Sequence, residues 1–197
     1  MTISNARREV VGDVREGWIL TQTLIEAAFA QTAKYWETAE EALRPKMWPP
    51  TPFRHGIPAL APGVFRPSSP MLEERFQLCG RWTTASHGHW LSTSDMEALW
   101  LNNGTDPFVE GVKQMQAASA EGWANDASTL FRPERLSLFA GSEYNNERIY
   151  LLWLDFEDEP ELWVYDANGE SRYRDLAAYL RAYLAEDVSA ASISWRA

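Results

Sequence analysis

Residues 19–43 carry the first regular pattern of apolar and polar positions. Leu20, Leu24, Ala28, Tyr35, Trp36, Ala39 and Leu43 recur at helical intervals, with neither Gly nor Pro among them. The spacing predicts a helix over 19–43, stopped near Arg44 because Pro45 disfavours helical geometry in the residue before it. Residues 45–70 then hold 8 of the 11 prolines, a density that no regular helix or central strand survives. Met47, Trp48, Phe53, Ile57, Leu60, Val64 and Phe65 make this segment too apolar for a free linker. It reads as an extended strap packed on the core, or as a Pro-rich ligand for a groove on another protein.

Residues 71–91 read as mixed strand and loop, with Phe76, Leu78, Trp82 and Trp90 as buried candidates. Ser94 and Glu97 have the spacing of a capping box. They open a short helix through Met96, Leu99, Trp100 and Leu101 that ends at Asn103-Gly104. A second helix is predicted from Pro107 to Ala120, with Phe108, Val112 and Met115 on one face.

The C-terminal third has the strongest pattern. Residues 149–154 form a continuous apolar run, as expected for a strand buried on both faces. Residues 161–166 are a second strand rich in aromatic and branched side chains, and an acidic loop joins the two as a hairpin. Asn168-Gly169 marks a turn. Tyr173, Leu176, Ala177, Leu180 and Leu184 mark a closing helix with one face on the sheet. The predicted fold is α+β, with a mostly antiparallel sheet and flanking helices. One domain spans 1–197, in which a helix and strap (1–70) pack on a core formed by 71–197.

Charge sharpens this picture. The 197 residues carry a formal net charge of −10. Residues 1–70 are net +1, residues 71–139 net −4 and residues 140–197 net −7. The densest stretch is Asp155, Glu157, Asp158, Glu159 and Glu161. Such a stretch is a solvated turn, a surface that attracts a basic partner, or both at once. An acidic chain is a poor binder of nucleic acid or anionic membrane. No window approaches the roughly 20 apolar residues of a spanning helix, and no apolar run follows Arg7-Arg8 as in a signal peptide. A single cysteine, Cys79, excludes a disulfide framework and fits a reducing compartment. The expected location is the cytoplasm.

Candidate chemistry is sparse. His55, His87 and His89 are the only histidines. His87-Gly-His89 offers two imidazoles, with Cys79 nearby in sequence, but the spacing matches no standard zinc site. Ser86 and His87 are adjacent, yet a nucleophile and base need a third group to orient them, and the sequence identifies none. No nucleophile-elbow, phosphate-loop or dinucleotide motif occurs. The expectation is a protein without cofactor or metal, and not an enzyme. A hydrolase using His87 or His89 is the weaker alternative.

The order of segments carries a resemblance. Leu99-Trp-Leu-Asn-Asn-Gly104 is followed by Leu136-Ser-Leu-Phe-Ala-Gly-Ser142, the apolar strand 149–154, the strand 161–166, a turn and an amphipathic helix with Leu176 and Leu180. Over about residues 92–184 this resembles the SUKH superfamily, the Smi/Knr-type domains. The family's usual opening, a helix followed by Leu-Gly-Leu-Pro, has no counterpart in residues 1–70. The resemblance implies a SUKH-like core in 71–197 and a binding function. Bacterial SUKH proteins are largely immunity proteins that neutralise a cognate toxin, often a nuclease, and eukaryotic members are regulatory interaction scaffolds. The expectation is therefore an immunity protein that occludes a cognate toxin such as a basic nuclease. Glu157, Asp158, Glu159 and Glu161 are the candidate contact residues, with Asp155, Asp166 and Glu170 in support.

Overall fold

The apolar runs of the C-terminal third become the centre of an antiparallel sheet. The computed structural model describes residues 21–52, 55–101, 106–120, 132–155, 157–167 and 169–187. Its strands are β1 (Lys46–Met47), β2 (Ile57–Pro58), β3 (Phe65–Arg66), β4 (Trp82–Ala85), β5 (Gly88–Trp90), β6 (Leu136–Gly141), β7 (Arg148–Leu152), β8 (Glu161–Asp166) and β9 (Gly169–Tyr173). Seven of them form one sheet in the order β1-β4-β5-β6-β7-β8-β9, and β2 pairs with β3. Every pairing is antiparallel. Helices flank the sheet: α1 (residues 21–35), α2 (Pro70–Leu78), α3 (Thr93–Ala98), α4 (Pro107–Ala120) and α5 (Leu176–Leu184). The fold is α+β, with α5 lying on β8 and β9 and against α2.

All residues of β6 and β7 are buried, which is why residues 149–152 read as an unbroken rather than an alternating apolar run. Removing side chains such as Ile149, Leu151 and Leu152 from water contributes about 1.5–3 kcal/mol each. Trp82, Trp90 and Phe139 stack at tilted angles, with ring centroids 4.7 and 4.6 Å apart. Arg75 enters this aromatic cluster fully buried. Its Nη1 donates to the Cys79 carbonyl at 2.6 Å and its Nη2 to the Leu91 carbonyl at 2.9 Å. The guanidinium lies 4.4 Å from the Phe76 ring centroid. Carbonyl acceptors and ring faces offset the cost of burying the charge.

Several elements differ from the sequence reading. Helix α1 ends at residue 35, not 43, and a separate 3-10 turn covers Glu41–Leu43. Its buried stripe is Thr21, Ile25, Ala28 and Thr32, while Tyr35 is 80% exposed and Leu43 52% exposed. Past Thr32 no described residue of this segment is fully buried, and packing supplies most of a helix's stability. Residues 19 and 20 lie outside the described residues.

Helix α2 falls in a stretch read as strand and loop. Pro70 sits in its first turn, and Leu72, Arg75 and Phe76 form its buried face. The arginine in that stripe hid its period. The capping box of α3 is Ser92 with Asp95, two residues before the expected pair. Asp95 N–H donates to Ser92 Oγ at 3.1 Å, and Ser92 N–H donates to Asp95 Oδ2 at 2.9 Å. Asn103-Gly104 lies outside the described residues.

Helix α4 spans the expected residues, and Val112 is buried. The Pro-rich strap has no long element, but Ile57 and Ala59 enter the core. Strand β9 occupies residues read as a turn and the approach to the helix. Its sequence Gly-Glu-Ser-Arg-Tyr carries polar side chains that pair in register with the buried β8.

Candidate functional site

Polar side chains gather at both ends of strand β8. At its start, the loop 153–160 joins it to β7 with Leu152 opposite Glu161. The loop's base is fixed. Trp153 N–H donates to the Arg135 carbonyl at 2.9 Å, and its indole N–H donates to Ser137 Oγ at 3.0 Å. The Arg66 guanidinium lies 5.8 Å from the Trp153 ring centroid.

The predicted acidic residues split between the two ends. Asp155, Glu157, Asp158, Glu159 and Glu161 share the hairpin. Asp166 and Glu170 lie at the far end of β8 and on β9, about 16 Å away at 3.3 Å per strand residue. Within the hairpin, Arg135 Nη2 pairs with Asp155 Oδ2 at 2.6 Å. Arg172 on β9 pairs with Glu161. Glu159 Oε1 accepts the Met71 N–H at 2.9 Å. Burial pushes the Glu159 carboxyl upward, opposed by its bonds to Ser69 and Met71. Glu157 and Asp158 are exposed, as is Asp155 beside Arg135. Glu170 lies opposite Tyr165, and burial raises its carboxyl while the Trp163 indole opposes the shift.

At the far end, side chains from three separate elements converge. Ser86 and His87 are the two-residue loop between β4 and β5, where Ala85 pairs with Gly88. Gly88 has φ +99°, and a Cβ there would stand 2.6 Å from the Gly141 carbonyl oxygen, so only glycine fits. His87 itself has φ +54°. A left-handed conformation costs a non-glycine residue about 1–2 kcal/mol. Its side-chain bonds hold it there. His87 Nδ1 lies 2.7 Å from Tyr179 Oη on α5, and His87 Nε2 lies 3.2 Å from Asp166 Oδ2 on β8. The Tyr179 hydroxyl donates to buried Ser86 Oγ at 2.6 Å. Burial, chiefly, pushes the Tyr179 phenol well above its ordinary value.

Two clefts meet at His87, Asp166 and Tyr183. One, of about 260 Å³, is walled by Tyr173, Tyr179 and Tyr183, with Glu186 and Asp187 at its edge. The other, of about 300 Å³, is walled by Tyr35, Trp36 and Glu147.

His89 has different surroundings. Its Nδ1 accepts the Thr84 N–H at 2.8 Å, which puts the ring proton on Nε2, 3.6 Å from Glu143. Burial lowers its proton affinity, with Glu143 opposing and Arg81 adding to the shift. His55 contacts Phe65 edge-on at 5.6 Å. Among the described residues, no three His, Cys, Asp or Glu side chains converge as a metal site. Cys79 is buried beside Arg75, and burial raises its thiol.

Asp166 is the third group that Ser86 and His87 lacked in the sequence. The arrangement still differs from a nucleophilic triad, because Ser86 Oγ is bonded to Tyr179 and the imidazole spans Tyr179 and Asp166. Tyr179 and Tyr183 were missed as site residues. Their i, i+4 spacing on the closing helix, one turn apart on one face, was the available signal.

No helix among the described residues is long and apolar enough to cross a membrane. Comparison with family models, with curated proteins and with solved structures gives no match.

Proposed function

We propose that this protein is a non-enzymatic, cytoplasmic binding protein of the SUKH type. Its role is that of an immunity protein that occludes a cognate, basic toxin such as a nuclease. The observation that carries the reading is the acidic hairpin. Its base is bonded to β6 and stacked under Arg66, while Glu157 and Asp158 project into water at the tip. An anionic tip speeds encounter with a basic surface. The family part of the reading rests on the sequence resemblance over about residues 92–184.

Co-expression with a toxin domain encoded beside this chain tests it. Restored growth and a one-to-one complex on size exclusion are expected. Continued toxicity with both proteins soluble would contradict the proposal. A scaffold role on the same fold would give a stable complex with a partner that is not toxic.

A second reading has one observation in its favour, the His87–Asp166 pair at the junction of two clefts. A histidine–carboxylate pair is the core of general acid–base catalysis. If it is hydrolytic, turnover of p-nitrophenyl acetate above the buffer rate will vanish in His87→Gln. Equal rates in both proteins would remove this reading.

A further inference from the structure

We infer that His89 is a proton-operated latch on the β4–β5 hairpin. Neutral, its ring holds a β-bulge closed at Thr84; protonated, it lets the bulge go, turns to Glu143 and frees the Ser86-His87 turn. This goes beyond the toxin-binding proposal and does not depend on it.

The bulge comes from the register. Trp82 pairs with Trp90 and Ala85 with Gly88, which sets Thr83 and Thr84 against His89 alone. A bulge leaves its extra residue without a ladder partner. Here the Thr84 N–H donates to His89 Nδ1 at 2.8 Å instead. Thr84 has φ +51°, an outlying conformation for a β-branched residue. Such a conformation persists only where its surroundings over-determine it, and the imidazole supplies the bond that fixes it. The Ser86-His87 turn begins two residues on. The bulge therefore sets the position from which His87 reaches Tyr179 and Asp166.

The other ring nitrogen faces the acceptor of the open state. Nε2 lies 3.6 Å from Glu143 Oε2, outside hydrogen-bond distance. That oxygen is buried and has no hydrogen-bond partner among the described residues. Glu143 is backed by α4, where a Cβ at Gly111 would stand 2.6 Å from the Glu143 Cβ. The remaining neighbours do not take up a proton. Phe108 of α4 meets the ring edge-on at 5.0 Å, and Gly141 of β6 pairs with His89. Arg81 is held by Asp95 and Asp106 and opposes protonation of the ring.

A proton on Nδ1 sets two donors against each other at 2.8 Å, so the Thr84 bond breaks. The same imidazolium is drawn to the Glu143 carboxylate. One buried bond is exchanged for another, which is how a histidine switches a local structure. Burial holds His89 below its ordinary 6.5, so the exchange falls on the acid side of neutrality.

Nuclear magnetic resonance of the nitrogen-15-labelled protein tests this from pH 8 to 5, the range in which histidine titrates. The scalar coupling between the Thr84 amide nitrogen and His89 Nδ1, carried by the hydrogen bond, is expected at pH 8 and lost at the midpoint of the His89 ring. The Ser86 and His87 amides should move in part at that midpoint. That part should vanish in His89→Gln, whose side-chain oxygen accepts the Thr84 N–H but does not titrate. Glu143→Gln should lower the His89 midpoint, because it removes the carboxylate that attracts the proton. A coupling absent at pH 8, or one that survives protonation of the ring, overturns the inference. So do turn amides that move identically in His89→Gln, or an unchanged midpoint in Glu143→Gln. The coupling is read in the unmodified protein, so it decides even if neither variant folds.

Discussion

The two ends of β8 hold similar numbers of carboxylates in opposite settings. At the hairpin end, Arg135 and Arg172 neutralise Asp155 and Glu161, and the Met71 N–H takes up Glu159. At the cleft end, Asp166, Glu186 and Asp187 line a tyrosine-walled cleft in which His87 is the one basic residue among those described. The acidic density of the hairpin along the chain is therefore partly neutralised in space by Arg135 and Arg172. Acidic density in a sequence is a poor measure of surface potential, because counter-charges arrive from residues 11 and 20 positions away. What remains for recognition at the hairpin is the short Glu157–Asp158 tip.

The largest expected contrast is in stability. Tyr179→Phe removes a hydroxyl that serves both Ser86 and His87 in a buried place, and leaving such groups unpaired costs about 1–3 kcal/mol. The double reversal Glu157→Lys with Asp158→Lys touches only exposed side chains and should stay within about 0.5 kcal/mol. Urea unfolding of both proteins checks this, and equal losses would erase the distinction between the ends.

A smaller effect sharpens the hairpin side. Arg172→Gln breaks a partly exposed ion pair with Glu161 and should cost up to about 1 kcal/mol. The loss should shrink in 1 M salt, where screening reaches about 3 Å. A loss independent of salt would show that packing of the Arg172 stem, not charge, holds the strands.

The last two effects depend on pH, and their signs differ. His89 is held below its ordinary value by burial. Between the folded and unfolded values the unfolded chain binds more protons, so stability is full above pH 6.5 and falls as pH drops below it. His89→Gln should flatten that fall between pH 7.5 and 5.5 in urea titrations. Glu159 is raised by burial, so the native state binds the extra proton. Its burden on stability is complete above the raised value and disappears as pH falls toward the ordinary 4.5. Glu159→Gln should remove that dependence, the smallest change of the set because the carboxyl is only partly buried. An unchanged pH profile would mean that Glu159 is as solvated as Glu157.

Much of the fold was readable from local pattern. The runs around Leu151 and Val164 and the helix of Leu176 and Leu180 are dominated by short-range periodicity, and the structure has them as β7, β8 and α5. Helix α2 was not, because buried Arg75 breaks its apolar stripe and is satisfied by carbonyls that local pattern does not reveal. Strand β9 was not, because its partner β8, rather than its own composition, makes it a strand. The cleft was invisible for a related reason. Ser86, His87, Asp166 and Tyr179 lie as far as 93 positions apart, and only the sheet order and the packing of α5 bring them together.

The central proposal is that an anionic tip steers a basic partner into a neutralising complex. Stopped-flow association with the toxin domain encoded beside this chain, at 0.05 and 0.5 M salt, tests it most directly. The association rate is expected to fall at least tenfold at the higher salt, and by a comparable factor at low salt in the Glu157→Lys, Asp158→Lys protein. A rate unmoved by both salt and reversal would contradict it.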